Sequence, residues 1–320
     1  MRKIALRLGL LCCGLVVGLV LAELGLRLVF PTDLTSGGFQ MNFAAGTLNS
    51  FVADDECGYL PKTNSDEYSE FGCLHNPYKR EKSPGKKRVL FLGDSVTHRG
   101  RLVRALQCCY GDERYEYWNA GVESFNTAQE LVLYRRFNAK IKPDQVILSF
   151  HNNDFMQTPL VFHKDGRLQM LTPQRDRKRI NMWWFANSYF YRFLIGLSWR
   201  GDSEQKAVEV RQTLADMQAL MAEQEVDFRV ILLPLMKPLK DWDDGENWSR
   251  KQSTAMFESL KIRSYDLLPS LEGMLAKGTA VEEEAGDAWH PNDTAAAVFA
   301  ADLQKQGLLI LGDEKLIQNQ

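Results

Sequence analysis

Short apolar runs separated by amphipathic helices constrain this chain more than any other feature. Val89-Leu90-Phe91-Leu92, Val146-Ile147-Leu148-Ser149-Phe150 and Arg229-Val230-Ile231-Leu232-Leu233 have little to offer water, so each predicts a strand buried on both faces. A further strand fits residues 115–118, and 262–265 is a candidate fifth. Between them Leu102, Val103 and Leu106 recur at helical spacing, and 127–137 suits a helix. Val210, Leu214, Met217 and Met221 line one face of a longer helix that an Asp202-x-x-Gln205 capping signal opens. A last helix fits 294–304. Buried strands alternating with helices predict a parallel sheet covered on both faces, a three-layer α/β/α sandwich.

The N-terminus sets the compartment. Arg2, Lys3 and Arg7 precede an uncharged apolar run from Leu8 to Ala22, after which Glu23 and Arg27 interrupt a second apolar stretch ending at Pro31. The first run alone has the length of a signal-peptide core, and Val20-Leu21-Ala22 offers a cleavage site. Extended to Phe30 it reaches spanning length if Glu23 and Arg27, one helical turn apart, pair or reach toward the headgroups. The expectation is an uncleaved signal anchor over residues 1–30, a transmembrane helix. With basic residues left in the cytoplasm, everything after Pro31 should face the periplasm or the outside. Residues 31–86 lack periodicity and predict a linker grading into a packed extension. The main domain spans 87–320, with 155–203, rich in aromatic and basic residues, as an insertion or lid.

Composition excludes several classes. A net charge of −2 over 320 residues gives no bulk reason to bind nucleic acid. Of the six cysteines none forms a C-x-x-C pair, so no metal site is expected. In an exported domain Cys57 and Cys73 could bridge, closing a loop worth ~3 kcal/mol by chain entropy. The charged run from Lys79 to Arg88 reads as solvated surface. Trp183 and Trp184 read as core or lid packing, although a polysaccharide could stack there.

Small or polar residues follow three of the strands at once: Gly93-Asp94-Ser95, Asn119-Ala120-Gly121 and His151-Asn152-Asn153-Asp154. Sites in doubly wound sheets form outside these carboxyl ends. Near the C-terminus stands Asp287-Ala288-Trp289-His290-Pro291-Asn292. Taken singly, Ser95 would be a helix cap, Gly121 a turn, Asn153-Asp154 an Asx turn and His290-Pro291 a helix opening. The four blocks in this order resemble the SGNH hydrolases, the GDSL esterase/lipase superfamily, over roughly residues 87–306. The anchor and extension resemble the membrane-tethered bacterial members.

The resemblance implies a flavodoxin-like fold and a catalytic triad of Ser95, His290 and Asp287. Ser95 would be the nucleophile, His290 the base and then the acid, and Asp287 the group that orients the imidazole. The backbone N–H groups of Ser95 and Gly121 and the Asn153 amide would form the oxyanion hole. No cofactor or metal is implied. The substrate class is an O-acyl ester, carried by an O-acylated small molecule or polysaccharide, O-acetyl groups among them. Alternatives are acyl transfer to a hydroxyl of an envelope or exported polysaccharide, and a catalytically silent binding or assembly module on the same fold. Two places depart from the family pattern. His151 stands where the third block usually has glycine, and Glu123-Ser124 where tethered relatives often carry Pro and Gly. Of the other histidines, His75 and His163 are expected in solvated loops and His98 to point aside.

Overall fold

A computed structural model describes residues 2–29, 41–42, 50–164, 167–171, 181–197 and 203–310. Asp202, the expected cap of the long helix, lies outside them, as do residues 31–40 and 43–49 of the expected linker. The chain opens with α1 (Arg2–Val29), β1 (Met41–Asn42), β2 (Phe51–Asp54) and β3 (Gly58–Pro61). Next come β4 (Lys87–Gly93), α2 (Ser95–His98), α3 (Arg101–Tyr110), β5 (Tyr115–Gly121), α4 (Thr127–Arg136) and β6 (Gln145–Phe150). Then follow β7 (Leu160–Lys164), β8 (Arg167–Leu171), α5 (Met182–Asn187), α6 (Tyr189–Leu197) and α7 (Ser203–Glu223). The last are β9 (Asp227–Leu232), α8 (Asp244–Leu260), β10 (Arg263–Asp266), α9 (Leu268–Leu275) and α10 (Asp293–Lys305). These elements fall into two compact units, one formed by residues 1–48 and 157–202, the other by 49–156 and 203–320.

In the larger unit β10, β9, β6, β4 and β5 lie side by side in that order, all parallel. This is the expected α/β class. Alternate side chains explain why both faces are covered. Val89, Phe91, Tyr115, Tyr117, Ile147 and Ile231 share one core with Leu102 and Leu106 of α3, Leu271 of α9, and Phe299 and Leu303 of α10. The intervening Leu90, Leu92, Val146, Leu148 and Val230 are as deeply buried on the opposite face. That face belongs to α4 and α7, whose Leu131, Leu133, Leu214, Met217 and Met221 are buried. Asn126 and Gln129 close a reciprocal capping box that starts α4 at Thr127.

Two expectations need correction in this unit. The run from Lys79 to Arg88 is not all solvated: Arg88 is 2% exposed, and its Nε donates to Glu116 Oε2 at 2.6 Å. Strand alternation turns Arg88 inward, where the carbonyls of Lys79, Arg80 and Ile141 accept from three of its other N–H donors. The Cys57 and Cys73 thiols are not joined to each other. Cys57 Sγ reaches Asp54 Oδ1 and the Tyr59 carbonyl, each at 3.3 Å, whereas Cys73 Sγ reaches the Phe71 carbonyl at 3.8 Å. Helices α8 and α9 were not anticipated, although Asp243 and Glu246 form a capping box legible in the sequence. In the same unit the antiparallel β2–β3 pair makes residues 50–61 part of the packed body, with Tyr59 edge-on to Phe51 and Phe125.

The smaller unit contains α1, a sheet ordered β1-β8-β7, and the short helices α5 and α6. Within α1, Gly9–Val29 has a mean hydropathy of 2.3, long and apolar enough to cross a membrane. Trp183 and Trp184 are 65% and 53% exposed, so they are not the core packing that their composition suggested. His163 lies on β7 rather than in a loop.

Candidate functional site

Parallel pairing places the carboxyl ends of β4, β5 and β6 side by side. Gly93 pairs with Gly121, and Leu92 with Leu148, three residues before His151. At the end of β4, Asp94 caps α2: its Oδ1 accepts from the Val96 N–H at 2.9 Å. Ser95 is thus the first residue of a helix, where its N–H has no intrahelical acceptor and its hydroxyl projects past the sheet. Glycine at both strand ends lets α2 sit this low. A Cβ on Gly121 would lie 2.2 Å from the His98 nitrogen, and one on Gly93 the same distance from Thr97 Oγ1.

The loop before α10 meets α2. Ser95 Oγ is 2.8 Å from His290 Nε2, and His290 Nδ1 is 2.7 Å from Asp287 Oδ2. The other Asp287 oxygen accepts from the Trp289 N–H at 2.9 Å and the His290 N–H at 3.3 Å. Burial alone would raise the Asp287 pKa, but those N–H donors and the His290 ring outweigh it and hold the carboxyl below its usual range. A carboxylate so fixed keeps the proton on Nδ1 and leaves Nε2 to accept from the serine. Glu283 braces the loop: Arg99 and Arg101 both pair with it, and Arg99 Nη1 also lies 3.8 Å from Asp287 Oδ2. Glu283, Asp287 and His290 present ligand atoms within 4.8 Å of one another, as a metal site would. The guanidinium groups of Arg99 and Arg101 already supply the positive charge there.

The expected oxyanion donors are arranged less simply. Asn153 Nδ2 donates to Asp94 Oδ2 at 2.8 Å and, more loosely, to the Phe125 carbonyl at 3.2 Å, while its Oδ1 is buried without a partner. The Gly121 N–H donates to Asn119 Oδ1 at 2.8 Å. Of the three groups only the Ser95 N–H is uncommitted. Asp94 therefore has two tasks that the sequence did not announce: it caps the nucleophile's helix and steers the Asn153 amide.

His151 is 1% exposed, with its ring 5.0 Å from that of Trp289. Burial lowers its pKa, an effect that Asp94 opposes and His290 reinforces. No hydrogen bond joins its ring nitrogens to Ser95, whereas His290 Nε2 makes one. His98 does point aside, toward Glu67 with Nε2 2.7 Å from Oε1. His75 Nε2 lies 2.8 Å from the Ser65 carbonyl.

Behind Asn153 sits a carboxyl cluster that sequence reading missed. Asp154 accepts from the His151 N–H at 2.7 Å and from Thr127 Oγ1 at 2.6 Å. Burial pushes its pKa up to about 7, against the pull of those donors. Burial, and then the neighbouring Asp154 and Asp94, raise Glu130 well above the carboxylate range. Glu130 offers no sequence signal, because a glutamate in the first turn of a helix ordinarily faces solvent.

No family model matches the sequence, and no curated protein matches it either. Solved structures do. One is an acetyl xylan esterase, AlAXEase, at 14% identity and TM-score 0.46, the alignment covering 68% of this chain and 98% of that one. Another is LAE5, an alpha/beta hydrolase enzyme from the metagenome of Lake Arreo, Spain, at 16% and 0.47, covering 72% and 99%. A third is a member of the lipolytic protein G-D-S-L family from Veillonella parvula, at 16% and 0.44, covering 70% and 100%. Likeness at this level carries nothing about activity.

Proposed function

We propose that the chain is a serine-dependent carboxylic ester hydrolase of the SGNH type, held in a membrane by α1 with its larger unit outside the cytoplasm. The observation that carries the reading is the relay from Ser95 Oγ through His290 to Asp287, contacts of 2.8 and 2.7 Å, the first of which joins the start of α2 to a loop 195 residues further along the chain. Its substrate class is an O-acyl ester such as an O-acetylated saccharide.

In this mechanism the Ser95 proton moves to His290 Nε2 as Oγ bonds to the ester carbonyl carbon, and the carbonyl π electrons move onto oxygen. Asp287 stabilises the imidazolium. The Ser95 N–H meets the oxyanion first. Asn153 joins when its looser hydrogen bond to the Phe125 carbonyl is exchanged for one to the oxyanion, with Asp94 still holding the other N–H. Gly121 joins when Asn119 turns away. Hydrogen bonds that tighten only as charge develops favour the transition state over the bound ester. His290 then protonates the departing alkoxide, giving an acyl-serine. Water attacks that ester by the reverse proton route and releases the acid. A sugar hydroxyl in place of water would make the enzyme an acyltransferase with the same residues.

The test is hydrolysis of p-nitrophenyl acetate by the full chain in detergent. Activity that Ser95→Ala abolishes supports the esterase. Equal rates for both proteins would make the chain a silent binding module.

A further inference from the structure

We infer that α5 and α6 form a foot that lies in the outer lipid–water interface of the bilayer, with Trp183 and Trp184 turned to lipid; this rests on reading α1 as a membrane span. Glu23 lies inside the apolar segment Gly9–Val29, where an uncompensated charge is costly. It is compensated by α6. Glu23 accepts from Ser188 Oγ at 2.9 Å, from the Tyr189 N–H at 2.9 Å and from the Phe190 N–H at 2.8 Å. A side chain of α1 thus caps another helix, placing negative charge at its positive end and satisfying its orphan donors. Arg27, one turn along, donates to Glu23 Oε1 at 2.8 Å and to the Asn187 carbonyl at the end of α5 at 2.8 Å. Its guanidinium also lies 5.0 Å over the Tyr189 ring. The junction of α5 and α6 is therefore fixed to α1 at Glu23 and Arg27.

Counting residues gives its depth. At ~1.5 Å per residue, Glu23 is about 9 Å from the end of the apolar segment at Val29, where a ~30 Å hydrocarbon core gives way to headgroups. Anything docked there meets the interface. The two helices are dressed for it: Phe185, Tyr189, Arg192 and Ile195 are buried, whereas Trp183, Trp184 and Leu194 are exposed. Indole rings concentrate at this depth in membrane proteins, because their bodies are apolar and their N–H groups seek headgroup oxygens. The rings of Trp183 and Trp184 meet edge to face, 4.9 Å apart at 87°, so they present no flat platform on which a sugar would stack. Lipid fits the pair better than carbohydrate.

The experiment places the full chain in nanodiscs of phosphatidylethanolamine and phosphatidylglycerol with a phospholipid bearing a diazirine near the glycerol end of its acyl chain. Irradiation and peptide mass spectrometry should find lipid on α1 and also on residues 181–197. Replacing both tryptophans by serine should lower the second adduct several-fold and leave the first unchanged. Glu23→Leu should lower the second adduct as well, by releasing α6. Lipid on α1 alone would overturn the inference while leaving the span intact. Lipid on neither would overturn the span and the foot together. Aqueous radical oxidation of Trp183 and Trp184 that a soluble oligosaccharide blocks, without lipid adducts there, would assign the pair to carbohydrate instead.

Discussion

Ser95 and His290 act as a unit in the proposed mechanism, so removing either should remove the same step. A fluorophosphonate should label Ser95 covalently, and His290→Ala should suppress labelling as strongly as Ser95→Ala. Asp287→Asn should suppress it less, because the ring is misoriented but present. His151→Ala should label normally; the reverse result for His151 and His290 would overturn the assignment and leave the fold standing. The oxyanion side predicts a different signature. Asn153→Ala should leave KM nearly unchanged and lower kcat by ~10²–10³, the usual cost of one such donor. A rise in KM alone would mean that Asn153 binds the ground state. The hydrogen bond from Asn153 to Asp94 also implies that Asp94→Ala should reproduce part of this kcat loss, through a disordered amide.

At the scale of elements, the underside of the site depends on buried acids. Glu130 on α4 is wholly buried, its carboxyl oxygens have no hydrogen-bond partner, and its pKa is raised. Asp154 beside it is raised to about 7. For a group whose folded pKa lies above its unfolded value, the stabilisation is complete below the unfolded pKa and is lost as pH rises through the folded pKa. Between roughly pH 4 and the raised values, folding takes up protons, so wild-type stability should fall with increasing pH by up to about 1.4 kcal/mol per pH unit per group. Glu130→Gln keeps the shape and removes the titration. Thermal unfolding from about pH 5 to about pH 9 should therefore show a flatter decline for Glu130→Gln than for the wild type. Parallel curves would mean that Glu130 is charged in the fold. Asp287 runs the other way: its lowered pKa contributes stability above the unfolded carboxylate value that disappears in acid.

For the molecule as a whole, α1 predicts topology. A reporter active only outside the cytoplasm, fused after Gln320, should be active, and the protein should stay in the membrane fraction after a carbonate wash. Soluble protein beginning at Glu23 would show cleavage after Ala22 and defeat the anchor. Glu23 bears on this choice, since in the anchored chain it caps α6, and a cleaved chain would place that cap at a free N-terminus.

The sequence by itself determined the sheet and the meeting of its ends. Runs such as 89–92 and 146–150 can be satisfied only by burial on both faces, and a parallel sheet then sets Gly93, Gly121 and His151 along one edge. It also brought Ser95, His290 and Asp287 forward as candidates, since residue types in order are a sequence property. What only the tertiary structure decided is everything that depends on a partner distant in the chain. Arg88 looks like one more surface cation until Glu116 of the next strand closes on it, and Glu130 looks like an ordinary first-turn acid until Asp154 folds against it. Asn153 and Gly121 looked like ready donors, but folding gave their protons to Asp94, Phe125 and Asn119. Glu23 looked like a break in an apolar run until Ser188 and the first two residues of α6 supplied three donors. The reason is the same in each case. A polar group's state is set by desolvation and by whichever group reaches it first, and neither is local to the residue.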